Sequence, residues 1–147
     1  MPTFAYRQSV AAAPATLFAL LCDAPRVAAL FPFMTVSGLE APAPGCWRFH
    51  RRLAIPSLPA LAWREEDRVD GDGLLRFHVL DGDLQTFTGC WQALPEGAGS
   101  VLVLELEYAV PPGLRPGLPE PLVHYVMQEL FTTICRRIAR AAEEAPE

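Results

Sequence analysis

Two carboxylates are the side chains whose spacing is best suited to chemistry. Glu65 and Asp67 lie two residues apart in the segment 61–69, so on a β-strand both point to the same face. A pair of carboxylates can carry out general acid and base steps when burial raises the pKa of one of them. The alternative, favoured by the arginines and the glutamate interleaved with them, is a charged and partly solvated strand whose charges are compensated by neighbouring strands.

The other polar residues do not predict a metal centre. His50, His78 and His124 have no Cys, Asp or Glu at the spacing of a metal site. His50 and His78 alternate onto outward faces of strands, and His124 lies at the edge of the apolar side of the last helix. The four cysteines are far apart and are expected to be buried thiols, with neither disulfides nor zinc: Cys22, Cys46, Cys90 and Cys135. No cofactor is predicted, because the chain lacks a nucleophile elbow, a phosphate loop and a dinucleotide fingerprint.

Composition narrows the class of protein. The 147 residues predict a single domain spanning residues 1–147, and 51% of them are hydrophobic. A net charge of -5 argues against nucleic acid as the main partner. No apolar run approaches the ~20 residues of a membrane span, and the N-terminus lacks the pattern of a signal peptide. We therefore expect a cytoplasmic protein, either a monomer or a homodimer, without stable membrane insertion.

Alternation of apolar and polar residues predicts seven strands. They cover residues 4–10, 33–39, 46–53, 61–69, 74–80, 84–94 and 101–110. Glycine-rich turns at 70–73 and 82–83, together with 96–99, connect the later strands as hairpins. The strands therefore predict one antiparallel sheet.

Three helices complete the pattern. A short helix opens at residues 13–16 and ends near Cys22, and a second follows the break at Pro25 and covers 26–31. Residues 111–121 contain five prolines and predict a stiff connector to a long helix in 121–144. One broad arc of that helix is apolar: Leu122, Val123, Val126, Met127, Leu130, Phe131, Ile134, Ile138 and Ala141. Helices confined to one side of an antiparallel sheet give an α+β class.

This order of elements resembles the START/Bet v1-like (SRPBCC) superfamily, in particular its polyketide cyclase/dehydrase and Coq10-like bacterial branch. Three pieces carry the resemblance, namely the early helix pair in 13–34, the hairpin in 82–108 and the closing amphipathic helix. The hairpin is the most specific, through Gly82-Asp83, Phe87, Gly89, Trp91 and Pro95. The resemblance implies a helix-grip fold, a curved sheet of about seven strands around the C-terminal helix, with an apolar cavity between them. Members bind lipids, isoprenoid quinones, polyketides or other hydrophobic small molecules, and some catalyse cyclisation or dehydration.

Strand alternation then selects a set of inward-facing residues as the candidate ligand-binding surface. They are Trp47, Phe49, Arg51, Trp63, Glu65, Phe77, Phe87, Trp91, Leu104 and Tyr108 on the sheet, with Met127, Leu130, Ile134 and Arg137 on the helix. Each aromatic residue taken alone is better interpreted as filling a core, and the set indicates a ligand surface only because the resemblance implies a cavity. Arg137 lies inside the apolar arc, either snorkelling outward at the helix end or meeting a polar head group at one end of the cavity.

Three functions remain open from the sequence. The first is a binding or carrier protein for a hydrophobic small molecule, with selectivity from a few polar groups. The second is a cyclase or dehydratase in which Glu65, Arg51 or Tyr108 orients and deprotonates a polyketide-like substrate. The third is an interaction protein that uses the outer face of the sheet. A cluster of polar side chains deep in the pocket would favour the enzyme, and a mostly apolar interior favours the carrier.

Overall fold

The computed structural model describes residues 2–56, 59–111, 113 and 117–145. Its elements occur in the predicted order, with two short helices after the first strand and one long helix at the end. The strands are β1 (Thr3–Val10), β2 (Met34–Ala43), β3 (Cys46–Leu53), β4 (Leu61–Val69), β5 (Leu74–Gly82), β6 (Thr86–Glu96) and β7 (Gly99–Ala109). The helices are α1 (Pro14–Leu21), α2 (Ala24–Ala28) and α3 (Glu120–Glu144).

The seven strands form one curved antiparallel sheet in the order β1-β7-β6-β5-β4-β3-β2. Strands β2 to β7 are paired with their sequence neighbours, and only β1 crosses over to pair with β7. Helix α3 packs against β1, β7 and α1. The predicted α+β helix-grip fold is therefore confirmed.

Proline explains two differences from the predicted boundaries. Pro25 lies in the first turn of α2, where its missing N–H costs no hydrogen bond, so the helix starts at Ala24 and not after the proline. Strand β2 continues to Ala43, beyond the predicted end at residue 39, because an edge strand tolerates proline and an irregular register. Part of the predicted proline-rich connector, residues 112 and 114–116, lies outside the described residues.

The long helix buries most of its predicted apolar side. Met127, Phe131 and Ile138 are buried, and small residues such as Ala139 and Cys135 complete the contact surface. Leu122 was placed on the buried arc, but nearly half of its surface is exposed, because it lies in the first turn where the helix has just begun. Among the residues that the structure describes, no helix is both long and apolar enough to cross a bilayer.

Candidate functional site

An internal cavity lies between the concave face of the sheet and α3. Strands β2 to β7 supply most of its wall and α3 supplies the rest, with Leu84 added from the loop between β5 and β6. The lining residues are Met34, Arg51, Leu53, Trp63, Glu65, Phe77, Leu84, Phe87, Trp91, Leu104, Leu106, Met127, Phe131 and Ile134. Twelve of these fourteen residues are apolar or aromatic, so Arg51 and Glu65 are the charged groups of the wall.

Arg51 and Glu65 form a buried ion pair between β3 and β4. Arg51 Nη2 donates to Glu65 Oε2 at 3.2 Å, and Arg51 Nη1 contacts the Met34 sulfur at 3.4 Å. Arg51 Nε lies 3.1 Å from Glu65 Oε1, but its N–H is not directed at that oxygen, so Nε is buried without a hydrogen bond to any residue that the structure describes. The pair therefore keeps one unused N–H donor at the cavity wall.

Glu65 is held as a carboxylate. Burial raises its pKa, but the charge of Arg51 and hydrogen bonds from Asp67, Trp63 and Arg51 outweigh burial, so the pKa is lowered overall. The Trp63 indole N–H donates to Glu65 Oε1 at 3.0 Å. With its charge neutralised in this way, Glu65 is a weak base and a strong local acceptor.

Asp67 is the second carboxyl group on the inner face of β4. The prediction of a partly solvated strand is wrong for both residues, because Glu65 is 2% exposed and Asp67 is 6% exposed. Burial, followed by the adjacent Glu65 carboxylate, raises the pKa of Asp67 well above its ordinary value of 3.8. Two neighbouring carboxyl groups thus have opposite pKa shifts, so a proton shared by the pair is held by Asp67 in preference to Glu65.

The sequence predicted that charges on β4 are compensated by neighbouring strands, and this charge pairing is found on the outer face of β4. Glu66 accepts hydrogen bonds from Arg48 Nε at 2.7 Å and from Arg68 Nη2 at 3.0 Å. Arg64 pairs with Asp81 of β5 at 3.1 Å. Inner and outer faces of β4 therefore carry separate charge networks, and only the inner one meets the cavity.

The structure brings nine of the fourteen candidate residues together around the internal cavity. They are Arg51, Trp63, Glu65, Phe77, Phe87, Trp91, Leu104, Met127 and Ile134. Trp47 and Phe49 lie instead at a separate cleft beside α1 and α2, and Leu130 is buried in the core without lining the cavity. Whether the nine bind a ligand remains a prediction.

Tyr108 and Arg137 are placed away from the cavity. The Tyr108 hydroxyl lies 2.6 Å from His124 Nδ1, and the two rings stack near the start of α3. Arg137 Nη1 donates to the Leu30 carbonyl at 3.0 Å, and its guanidinium lies over the Phe31 ring. These contacts favour the interpretation in which the Arg137 side chain covers apolar surface and its guanidinium points away from the cavity.

Five lining residues were not among the candidates: Met34, Leu53, Leu84, Leu106 and Phe131. Leu53 shares the face of Phe49 and Arg51 on β3, and Phe131 shares the arc of Met127 and Ile134, so the sequence pattern already contained a signal for both. Leu84 was placed in the predicted strand 84–94, on the face opposite to Phe87 and Trp91, but β6 begins only at Thr86 and Leu84 reaches the cavity from the loop before it.

The cavity is small, with a volume of about 40 Å³. Roughly three water molecules fit such a space, whereas pockets for drug-sized molecules have volumes of about 300–1,000 Å³. A larger guest therefore requires the lining side chains to move. Met34 and Met127 lie on opposite walls and have the flexible, unbranched side chains that allow such repacking.

Solved structures share the whole fold. The crystal structure of TTHA0849 from Thermus thermophilus has a TM-score of 0.84 at 25% identity, covering 99% of this chain and 100% of that one. The Zhui aromatase/cyclase from Streptomyces gives 0.77 at 18% identity, covering 97% of this chain and 93% of that one. A START superfamily protein from Mycobacterium smegmatis gives 0.75 at 15% identity, with 97% of each chain covered. The last two show a common fold and no more.

Sequence comparison gives the family. Among curated proteins, none matches the chain. A family model described as polyketide cyclase/dehydrase and lipid transport matches residues 1–143, which is nearly the entire chain and includes every residue of the cavity. The protein therefore belongs to the polyketide cyclase/dehydrase and lipid transport family.

Proposed function

We propose that the protein binds or carries a hydrophobic small molecule in the internal cavity, with a polar oxygen of the guest at Arg51. The observation that carries this proposal is an apolar wall interrupted by one buried ion pair with an unused N–H. Apolar burial supplies affinity at about 25 cal/mol per Å², and a single polar contact sets orientation.

The unused donor defines the chemistry of the guest. A buried N–H without an acceptor is costly, so a carbonyl, quinone or hydroxyl oxygen placed beside Arg51 Nε gains a hydrogen bond that the protein alone does not make. Lipids, isoprenoid quinones and polyketides all offer such an oxygen on an apolar body. A purely hydrocarbon guest would leave the donor unpaired and should bind less tightly.

Catalysis of the cyclase or dehydratase type is the second candidate, and the opposed pKa shifts of Glu65 and Asp67 favour it. Carboxyl groups whose pKa values are driven apart are a common origin of acid and base roles. However, Asp67 does not line the internal cavity, Tyr108 is bonded to His124, and Glu65 is neutralised by Arg51. Binding therefore needs fewer changes to the site than proton transfer does.

Native mass spectrometry of protein purified from its own host tests the proposal. We expect an adduct whose extraction yields a lipid, quinone or polyketide-like molecule, and we expect Arg51→Met to lose most of it. Arg137→Met removes an arginine that lies outside the cavity and is the matched control. An adduct retained equally by both variants, or a converted substrate in place of a stable guest, would move the assignment away from carriage. A cytoplasmic location and a monomeric or homodimeric state are part of this proposal.

A further inference from the structure

A second, smaller space lies beside the start of α3, and we call it the helix-start space. It has a volume of about 30 Å³ and is lined by Pro2, Tyr108, Val110, Glu120, Val123 and His124. None of these residues lines the internal cavity, whose volume of about 40 Å³ is only slightly larger. Joining the two spaces would therefore nearly double the room for a guest.

The helix-start space continues the internal cavity along β7 and α3. On β7, Leu106 lines the internal cavity, and Tyr108, the next residue on the same face, lines the helix-start space. On α3, Phe131 and Met127 line the internal cavity, and Val123, one turn before Met127 on the same face, lines the helix-start space. The two spaces therefore lie end to end between the same strand and the same helix.

Two aromatic rings form a partition between the spaces. Phe131 and Tyr108 meet edge to face, with ring centroids 5.2 Å apart. Tyr108 is fixed by its hydroxyl, which lies 2.6 Å from His124 Nδ1, and by stacking on that imidazole. Phe131 is buried and also contacts the rings of Phe4 and Phe87, with centroids 5.4 Å and 6.4 Å away. In a close-packed interior, neither ring can move aside without losing these contacts.

The polar end of the internal cavity lies away from this partition. Arg51 is on β3, and three strands separate β3 from β7 in the sheet. Met34, whose flexible side chain contacts Arg51, allows the cavity to enlarge at that end. A guest held by Arg51 therefore extends toward a fixed wall, and Phe131 is part of that wall.

We propose that Phe131 is a specificity-determining residue that limits the length of the guest. This inference rests on the proposed function and narrows its ligand class to compact carbonyl compounds, such as short-chain ketones or small quinones. A long acyl or isoprenoid tail would need the helix-start space, which the partition closes.

A series of unbranched methyl ketones, from 2-pentanone to 2-undecanone, measures this limit on the full-length protein. Trp63 and Trp91 line the internal cavity and His124 lines the helix-start space, so their side-chain NMR signals report on the two spaces separately. In wild type, affinity should rise about three- to fourfold for each added methylene group up to a limiting length and then stop rising. The His124 signal should not respond to a ketone of any length.

Phe131→Leu should open the partition. The limiting length should increase by roughly two methylene groups, since about two water-sized volumes fit in the helix-start space, and the longest ketones should now shift His124. Phe31→Leu removes the same atoms from a buried phenylalanine that lines neither space, and should keep the wild-type limit. Phe77→Leu adds room at another wall of the internal cavity and should leave His124 without a response.

An affinity that keeps rising to 2-undecanone in wild type would overturn the inference, as would a His124 response of wild type to the longer ketones. These two results need no variant, so they hold even if Phe131→Leu does not fold. An unchanged limiting length in folded Phe131→Leu would also overturn it. If no ketone shifts Trp63 or Trp91, the proposed function itself is wrong, whereas ketone binding without a length limit contradicts only the role of Phe131.

Discussion

The guanidinium of Arg51 contacts the carboxylate of Glu65 through two nitrogens, at 3.2 Å for Nη2–Oε2 and 3.1 Å for Nε–Oε1. The two residues are diagonal neighbours, since Arg51 is in register with Trp63 and Glu65 is in register with Phe49. This diagonal reach leaves Nε without a directed hydrogen bond. The geometry of one ion pair thus produces the polar feature on which the proposed function depends.

Removing Arg51 alone should destabilise the fold more than removing both charges of the pair at once. Arg51→Met leaves Glu65 as an uncompensated buried charge and should lower the free energy of unfolding by about 3–5 kcal/mol. Arg51→Met combined with Glu65→Gln keeps acceptors for Trp63 and Asp67 without a charge, and should recover about 2 kcal/mol of the loss. Urea unfolding of the four proteins of this cycle measures both values. Additive losses in the double variant would show that the pair is not coupled.

Asp67 should give stability a pH dependence opposite to that of an ordinary aspartate. Its folded pKa is raised above 3.8, so between 3.8 and the folded pKa the native state binds more protons than the unfolded state. The free energy of unfolding contributed by this group therefore falls as pH rises through that window and is recovered at lower pH. Relative to Asp67→Asn, which cannot ionise, wild type should become progressively less stable as the pH rises from 3.8 towards the raised folded pKa.

Unfolding by urea at several pH values in this range measures that difference. Glu65→Gln is a useful comparison, because the lowered pKa of Glu65 predicts the reverse trend, with its stabilisation lost as pH falls through the folded pKa. A difference between wild type and Asp67→Asn that does not change with pH would mean that Asp67 is ionised in the folded protein.

The sequence predicted the order of elements well and the carboxylates of β4 poorly. Strand alternation placed Glu65 and Asp67 on one face, but burial was missed because Arg51, which makes it tolerable, lies on the neighbouring strand. Side chains that meet through tertiary pairing leave no periodic signal. The same limit explains Tyr108, whose partner His124 lies on α3. Leu84 was missed for another reason, since the predicted strand 84–94 begins two residues too early and so placed Leu84 on the wrong face.

Arg137 should contribute to stability and not to the internal site. Arg137→Ala removes a hydrogen bond to the Leu30 carbonyl and the contact with Phe31, and should cost about 1 kcal/mol. Affinity for a guest of the internal cavity should be unchanged, because Arg137 does not line it. Thermal unfolding and a binding titration on the same variant check both statements. A selective loss of affinity with unchanged stability would restore the head-group role considered from the sequence.

Gly89 should be required for the close approach of β6 to β7. A Cβ at this position would overlap the carbonyl oxygen of Glu105 and would come too close to Cα and Cβ of Leu106. None of these atoms can easily move. Gly89→Ala should therefore lower the free energy of unfolding by about 1–3 kcal/mol. At Gly113 an added Cβ meets no atom of the described residues within 4 Å, so Gly113→Ala should change stability by less than about 0.5 kcal/mol. Similar effects of the two substitutions in denaturant unfolding would contradict this account.

The most direct test of the central claim is an NMR titration of the three indole N–H signals with 2-acetylnaphthalene, using 2-ethylnaphthalene as the guest without a carbonyl. Binding in the internal cavity should shift the Trp63 and Trp91 signals and leave Trp47 unchanged. The ketone should bind about tenfold more tightly than the hydrocarbon in wild type and equally to it in Arg51→Met. If neither guest shifts Trp63 or Trp91 up to its solubility limit, the internal cavity does not open to an apolar ligand and the proposed function is wrong.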